Sequence, residues 1–129
     1  MEEVKKEELK EILTVNIKKE GFTFNVRNIL ISSFIAIETE KQRLTSGKYF
    51  DLAKTYFIDT QNVVSVINMI AIFRVLNPKI EKGLGGVEFE NLSIMDVREL
   101  LKIFIEEVQP WYVGWMNEFN NPFEDDGKD

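Results

Sequence analysis

The chain has no cysteine and no histidine. The first absence excludes disulfides and thiolate chemistry. The second removes the usual general base near neutral pH and the commonest metal ligand. Positive charge is also in short supply: 16 Lys and Arg stand against 22 Asp and Glu, a net charge of −6. A nucleic-acid binder would show a basic patch, so this balance argues against one. The first residues (MEEVKKEELKE) are charged and hold no apolar core segment, so no secretory signal is expected and a cytoplasmic location follows. No apolar run reaches the roughly 20 residues that a membrane span needs.

What remains is ordinary for a globular chain of 129 residues: 44% hydrophobic, 29% charged and ten Phe to supply packing volume. One domain is the expectation, large enough to bury roughly two thirds of its unfolded surface. The stretch 62–76 (NVVSVINMIAIFRVL) must be covered by everything else. Ten of its fifteen residues are large and apolar, and only Gln61, Ser65 and Asn68 form a narrow polar strip on a helical wheel. A helix that is apolar nearly all round lies in a core or a membrane, and this one is too short for a membrane and carries Arg74. Seven of the ten are β-branched, which suits strands, but strands average about 5–6 residues, so the length favours a helix.

Around that helix the chain reads in order. Residues 2–13 suggest a charged, weakly amphipathic helix with a frayed start. Val15 and Ile17, then Phe22, Phe24 and Val26, alternate as in a β-hairpin, with Lys18 to Gly21 between and Gly21 to supply a positive φ. Residues 28–44 give an extended start and a helix from about Ser33 to Leu44, stopped by Thr45-Ser46-Gly47 with Gly47 as a left-handed cap. Tyr49, Leu52, Ala53, Tyr56 and Phe57 have helical spacing, and Asp59 or Thr60 can cap the central helix. Pro78 ends it. Residues 79–92, with Gly83, Gly85 and Gly86, read as a mobile surface loop with a short extended piece over 87–89. Ser93 is an N-cap with Asp96 three residues on and Leu92 placed to staple against Val97. Val97, Leu100, Leu101, Phe104, Ile105 and Val108 form a helical stripe. Pro110 closes that helix and opens the last one, whose Trp111, Tyr112, Trp115, Met116 and Phe119 share a broad side.

The fold class is therefore mainly α (α+β): a helical domain around one buried central helix, with an N-terminal β-hairpin packed against it. The division is a charged N-terminal segment (1–13), one globular domain (14–119) and an acidic tail (120–129) too poor in apolar residues to fold. From Glu118 onward there are five acids and one lysine, net −4.

No motif supplies chemistry. Ser46-Gly47-Lys48 resembles the end of a phosphate-binding loop, but Gln42 stands where the first Gly is needed and Tyr49 where Ser or Thr is needed. Gly83-Leu84-Gly85-Gly86 lacks the strand-then-helix setting of a dinucleotide loop. Glu106-Glu107 are adjacent and do not face each other on a helix; Asp125-Asp126 has nothing to orient a cation. Catalytic, cofactor-binding and metal-binding residues are none, and an enzyme is not expected. Arg74, the one charge in an apolar setting, can snorkel, pair with a carboxylate, or meet an acidic partner. Trp111, Tyr112, Trp115 and Phe119 are the candidate protein interface; aromatic residues are enriched in binding hot spots and are equally at home in cores.

Several stretches together resemble a small bacteriophage family concerned with tail assembly: 37–41 (IETEK), 44–49 (LTSGKY), the buried helix ending Val75-Leu76-Asn77-Pro78, Pro110-Trp111-Tyr112 with Trp115, and an acidic end after Pro122-Phe123. The order and spacing carry the resemblance, from about Phe22 to Asp126. It is similar to tail assembly chaperones of long-tailed phages. The resemblance implies a protein that keeps apolar tail components, chiefly the tape measure protein, in solution until the tube forms around them. It brings no catalytic residues, and in some members a longer form arises by ribosomal frameshifting. The expected partner is thus another protein of the phage tail or virion, with self-association open and no nucleic acid or membrane involved. The alternatives are a structural subunit retained in the particle, or a small acidic inhibitor or adaptor of a host protein.

Overall fold

A computed structural model describes residues 9–54 and 58–121. An antiparallel hairpin comes first, β1 (Ile12–Ile17) and β2 (Glu20–Asn25), in the register Val15 opposite Phe22 and Leu13 opposite Phe24. Alternation decides its faces: Val15, Ile17, Phe22 and Phe24 are buried while Thr14, Asn16 and Thr23 are exposed. The turn differs from expectation. It is two residues long, with Lys18 at φ 52° and Lys19 at φ 69°, and Gly21 lies inside β2. The mirror-image turn matches the twist of the strands, so two lysines accept the left-handed region. The expected N-terminal helix is also corrected where it can be seen. Ile12 and Leu13 belong to β1 because Asn25 and Phe24 pair with them; residues 1–8 lie outside the described part.

A 3₁₀ turn (Val26–Asn28) leads into α1 (Ile31–Leu44), which starts two residues before the expected Ser33 because Ser33 Oγ accepts from Leu30 N–H at 3.0 Å. At its far end Ser46 takes the left-handed position (φ 53°) and Gly47 N–H returns to Gln42 C=O at 2.8 Å. Gly47, at φ 82°, is therefore one residue further out than the cap position assigned to it. Next come α2 (Tyr49–Ala53) and the central α3 (Ile58–Leu76). The expected helical residues Tyr56 and Phe57 lie outside the described part. Asp59 and Thr60, expected just before the central helix, fall inside α3, which begins at Ile58.

α3 is the core of the molecule: Val64, Ile67 and the run Met69 to Phe73 are buried. The Phe73 ring meets Phe24 of the hairpin (5.9 Å between centroids), Phe89 (6.1 Å) and Phe104 (5.6 Å). Asn68 of its polar strip is satisfied locally, its Nδ2 donating to Tyr49 Oη (3.0 Å) and Val64 C=O (3.0 Å). Asn77 closes the helix and ties it to the hairpin: its Nδ2 donates to Thr23 C=O at 2.8 Å.

The stretch after Pro78 is not an irregular loop. α4 (Lys79–Gly83) follows at once, Ile80 and Phe89 are buried, and 87–89 ends in a 3₁₀ turn (Phe89–Asn91) instead of a strand. Then α5 (Ile94–Ile103) begins as read, with Ser93 Oγ accepting from Asp96 N–H. α5 does not stop at Pro110. A π-helical turn (Phe104–Val108) joins it to α6 (Gln109–Asn120), with Gln109 N–H bonded to Phe104 C=O. Proline lacks an N–H and its ring crowds the carbonyl four residues back; widening one turn lets the helix run on. The α+β class expected from the sequence is the one observed. Among the described residues no helix is long and apolar enough to cross a membrane.

Candidate protein-binding face

The four aromatic residues proposed for an interface separate on α6. Trp111 is buried (6% exposed) against Phe24, with centroids 6.2 Å apart. Tyr112 is half-buried; desolvation, and then the Glu38 carboxylate, push its phenol up to about 12. Trp115 and Phe119 lie further along the helix and reach the surface. A backbone strap holds this side together. Lys10 C=O accepts from both Trp111 Nε1 (2.7 Å) and Trp115 Nε1 (3.1 Å). Gly114 between them leaves room for Leu9, since a Cβ there would come within 2.6 Å of Leu9 Cδ2.

Beyond the strap, α1 and α6 meet through side chains, Phe34 with Phe119 and Glu38 with Tyr112, so that the two helices run in opposite senses across the contact. The Phe34 ring meets Phe119 at 5.2 Å, tilted by 59°, near one end, and Glu38 acts on Tyr112 from one turn further along α1. Between the helices lies an open groove of about 300 Å³, walled by Ile29, Ile31 and Phe34 on one side and Trp115, Met116 and Phe119 on the other, with Glu118 on the rim. The apolar surface continues past it: Leu30 (59%), Ile31 (59%), Ile35 (63%) and Phe119 (53%) remain more than half exposed. Leu30, Ile31, Phe34 and Ile35 are neighbours at helical spacing along the start of α1, whereas Ile94 (85%), Met95 (63%) and Phe50 (61%) are exposed elsewhere. The extended start expected before Ser33 separates Ile29 and Ile31 from the helix that holds Phe34 and Ile35, so that reading does not show them as one face. The helical spacing of Ile31, Phe34 and Ile35 was the signal that could have found it.

Arg74 takes the carboxylate-pairing option. Its guanidinium bonds Glu40 of α1 (Nη1, 2.6 Å), Glu81 of α4 and Glu90 (Nη2, 2.6 Å), and stacks over the Phe89 ring at 5.5 Å. Glu81 also accepts from Phe89 N–H at 2.8 Å. Arg43 joins from α1 through Glu40 and Glu90. Hydrogen bonding to Arg74 holds Glu81 below the usual carboxylate range and pulls Glu90 down to about 2; Arg43 does the same for Glu40. The convergence of three carboxylates is thus filled by a cation of the chain itself, and the cluster locks 79–92 onto α1 and α3. Among the described residues no group of three or more Asp or Glu is arranged to hold a metal ion. Glu106 and Glu107 are exposed, and Asp125 and Asp126 lie outside the described part.

Compared with known protein families, curated proteins and solved structures, the chain gives no match.

Proposed function

We propose that this chain is a non-enzymatic phage protein that assists virion assembly by binding another protein, in the manner of a tail assembly chaperone in the host cytoplasm. The groove between α1 and α6 is the observation that carries the reading. Full burial of a large apolar side chain is worth roughly 1.5–3 kcal/mol, so covering the exposed parts of Leu30, Ile31, Ile35 and Phe119 gives about 3.5–7 kcal/mol in all. Association costs about 4–15 kcal/mol in lost freedom. The apolar surface of this chain alone does not exceed that cost, so a partner must bring apolar surface of its own, and the contact is weak and reversible, which is what a protein that must later let go requires. The resemblance to tail assembly chaperones supplies the setting.

Co-expression with the phage tape measure protein tests it. The wild-type chain keeps that protein in the soluble fraction, and Ile31→Ser with Phe119→Ser does not. Equal solubility with the double variant would remove the groove from the function. Finding the chain at a fixed copy number in purified particles would make it a structural subunit instead.

A further inference from the structure

We propose that the groove takes a basic amphipathic helix of its partner, with the apolar stripe between α1 and α6 and a Lys/Arg-rich end beside Glu118. This rests on the protein-binding reading and names the chemistry of what binds. The groove favours a helix over an extended segment. The backbone groups of α1 and α6 are used within their own helices, so a strand laid between them would find no ladder and would leave its own polar groups against apolar side chains. A helix brings its backbone already satisfied and offers residues at i, i+3, i+4 and i+7, the spacing of the Ile31, Phe34 and Ile35 row it faces.

Charge selects the partner's polar side. Residues 31–38 of α1 and the whole of α6 contain no Lys or Arg; their only charges are Glu38 and Glu118, and Arg27 lies in sequence between the lining residues Val26 and Ile29. Glu38 is held by Lys41 at 2.9 Å, so the acidic end is the Glu118 end. Arg27 is engaged by Glu11 through two hydrogen bonds of 2.9 and 3.2 Å, and the backbone of Lys10 meets the groove residue Trp115. After Glu118 the sequence adds four more acids and one lysine within eleven residues. A second copy of this chain would bring like charge to that end, with −6 on each molecule, so it is disfavoured as occupant at neutral pH.

Calorimetry of the full chain with three synthetic peptides decides the matter. One has a leucine stripe at helical spacing and four lysines at one end. The second carries glutamates for the lysines. The third keeps the lysines but scrambles the leucines. The first should bind at least ten-fold tighter than the second, the third should not bind measurably, and Ile31→Ser should abolish the tight binding. Raising salt from 50 to 500 mM should weaken the first peptide about ten-fold, as expected for screened surface charge. If the glutamate peptide binds as well and Ile31→Ser weakens both, the groove is a binding face and the charge selection is wrong. Equal binding of the scrambled peptide overturns the helix. No binding by any peptide removes this inference and leaves the co-expression result to judge the broader reading. A dimer at pH 7 that Phe119→Ser dissolves makes a second copy the occupant.

Discussion

Arg74 sits where a desolvated charge needs more than one partner. Taking a guanidinium partly out of water costs several kcal/mol unless its donors are met, and three carboxylates from three separate segments meet them. Removing the cation would leave those carboxylates facing one another. Arg74→Met should therefore cost about 2–3 kcal/mol, less than the roughly 3–5 kcal/mol of a fully buried broken pair because water reaches this one. The pH dependence has a definite sign. Glu90 ordinarily titrates near 4.5 and is held at about 2 in the fold, with Glu40 and Glu81 lowered too. The stability they contribute is complete above pH 4.5 and is lost as pH falls from there toward 2. Melting curves across that window should fall steeply for the wild type and much less for Arg74→Met. Parallel curves would show that the cluster does not carry the acid sensitivity. The two tryptophans separate by the same residue-level logic. Trp115→Phe leaves Trp111, whose emission should be blue-shifted and shielded from acrylamide. Trp111→Phe leaves Trp115, which should emit further to the red and quench readily.

At the scale of elements, the hairpin turn is the place where local chemistry and geometry disagree. Lys18 and Lys19 hold left-handed φ angles that favour Asn and Gly. Replacing them with Asn-Gly should stabilise the protein by about 1 kcal/mol without changing the register, as read from the denaturation midpoint. The strands themselves were legible because half of each is buried and period-two alternation is a local signal. The α5 start was legible for the same reason: Ser93 bonds a backbone N–H only three residues away. What could not be read depends on distant partners. Ile12 and Leu13 sit at helical spacing from Leu9, and only Phe24 and Asn25, eleven to thirteen residues on, make them a strand. Residues 79–92 look like a glycine-rich loop because the forces that order them, Phe89 in the core and Glu81 and Glu90 on Arg74, come from α3. On α6, sequence spacing put Trp111, Tyr112, Trp115 and Phe119 on one side. It could not show that Lys10 C=O binds both indoles and that only Trp115 and Phe119 reach the groove.

The whole molecule combines a contiguous apolar face with strong acidity, and these oppose each other. At neutral pH the net charge of −6 opposes contact between copies, while several large side chains remain in water. The isoelectric point is about 4.8, so mild acid removes the repulsion and leaves the apolar face. The Arg74 cluster is still intact there, because its carboxylates titrate lower. The folded chain is therefore expected to self-associate near pH 5 through the α1/α6 face before acid unfolds it. Light scattering should show a monomer at pH 7 and growing mass toward pH 5, with the far-ultraviolet helical signal unchanged. Ile31→Ser with Phe119→Ser, which alters no charge, should suppress that growth. Association that is insensitive to the double variant would mean that loss of charge alone drives it. It would also mean that the face between α1 and α6 is no stickier than the rest of the surface.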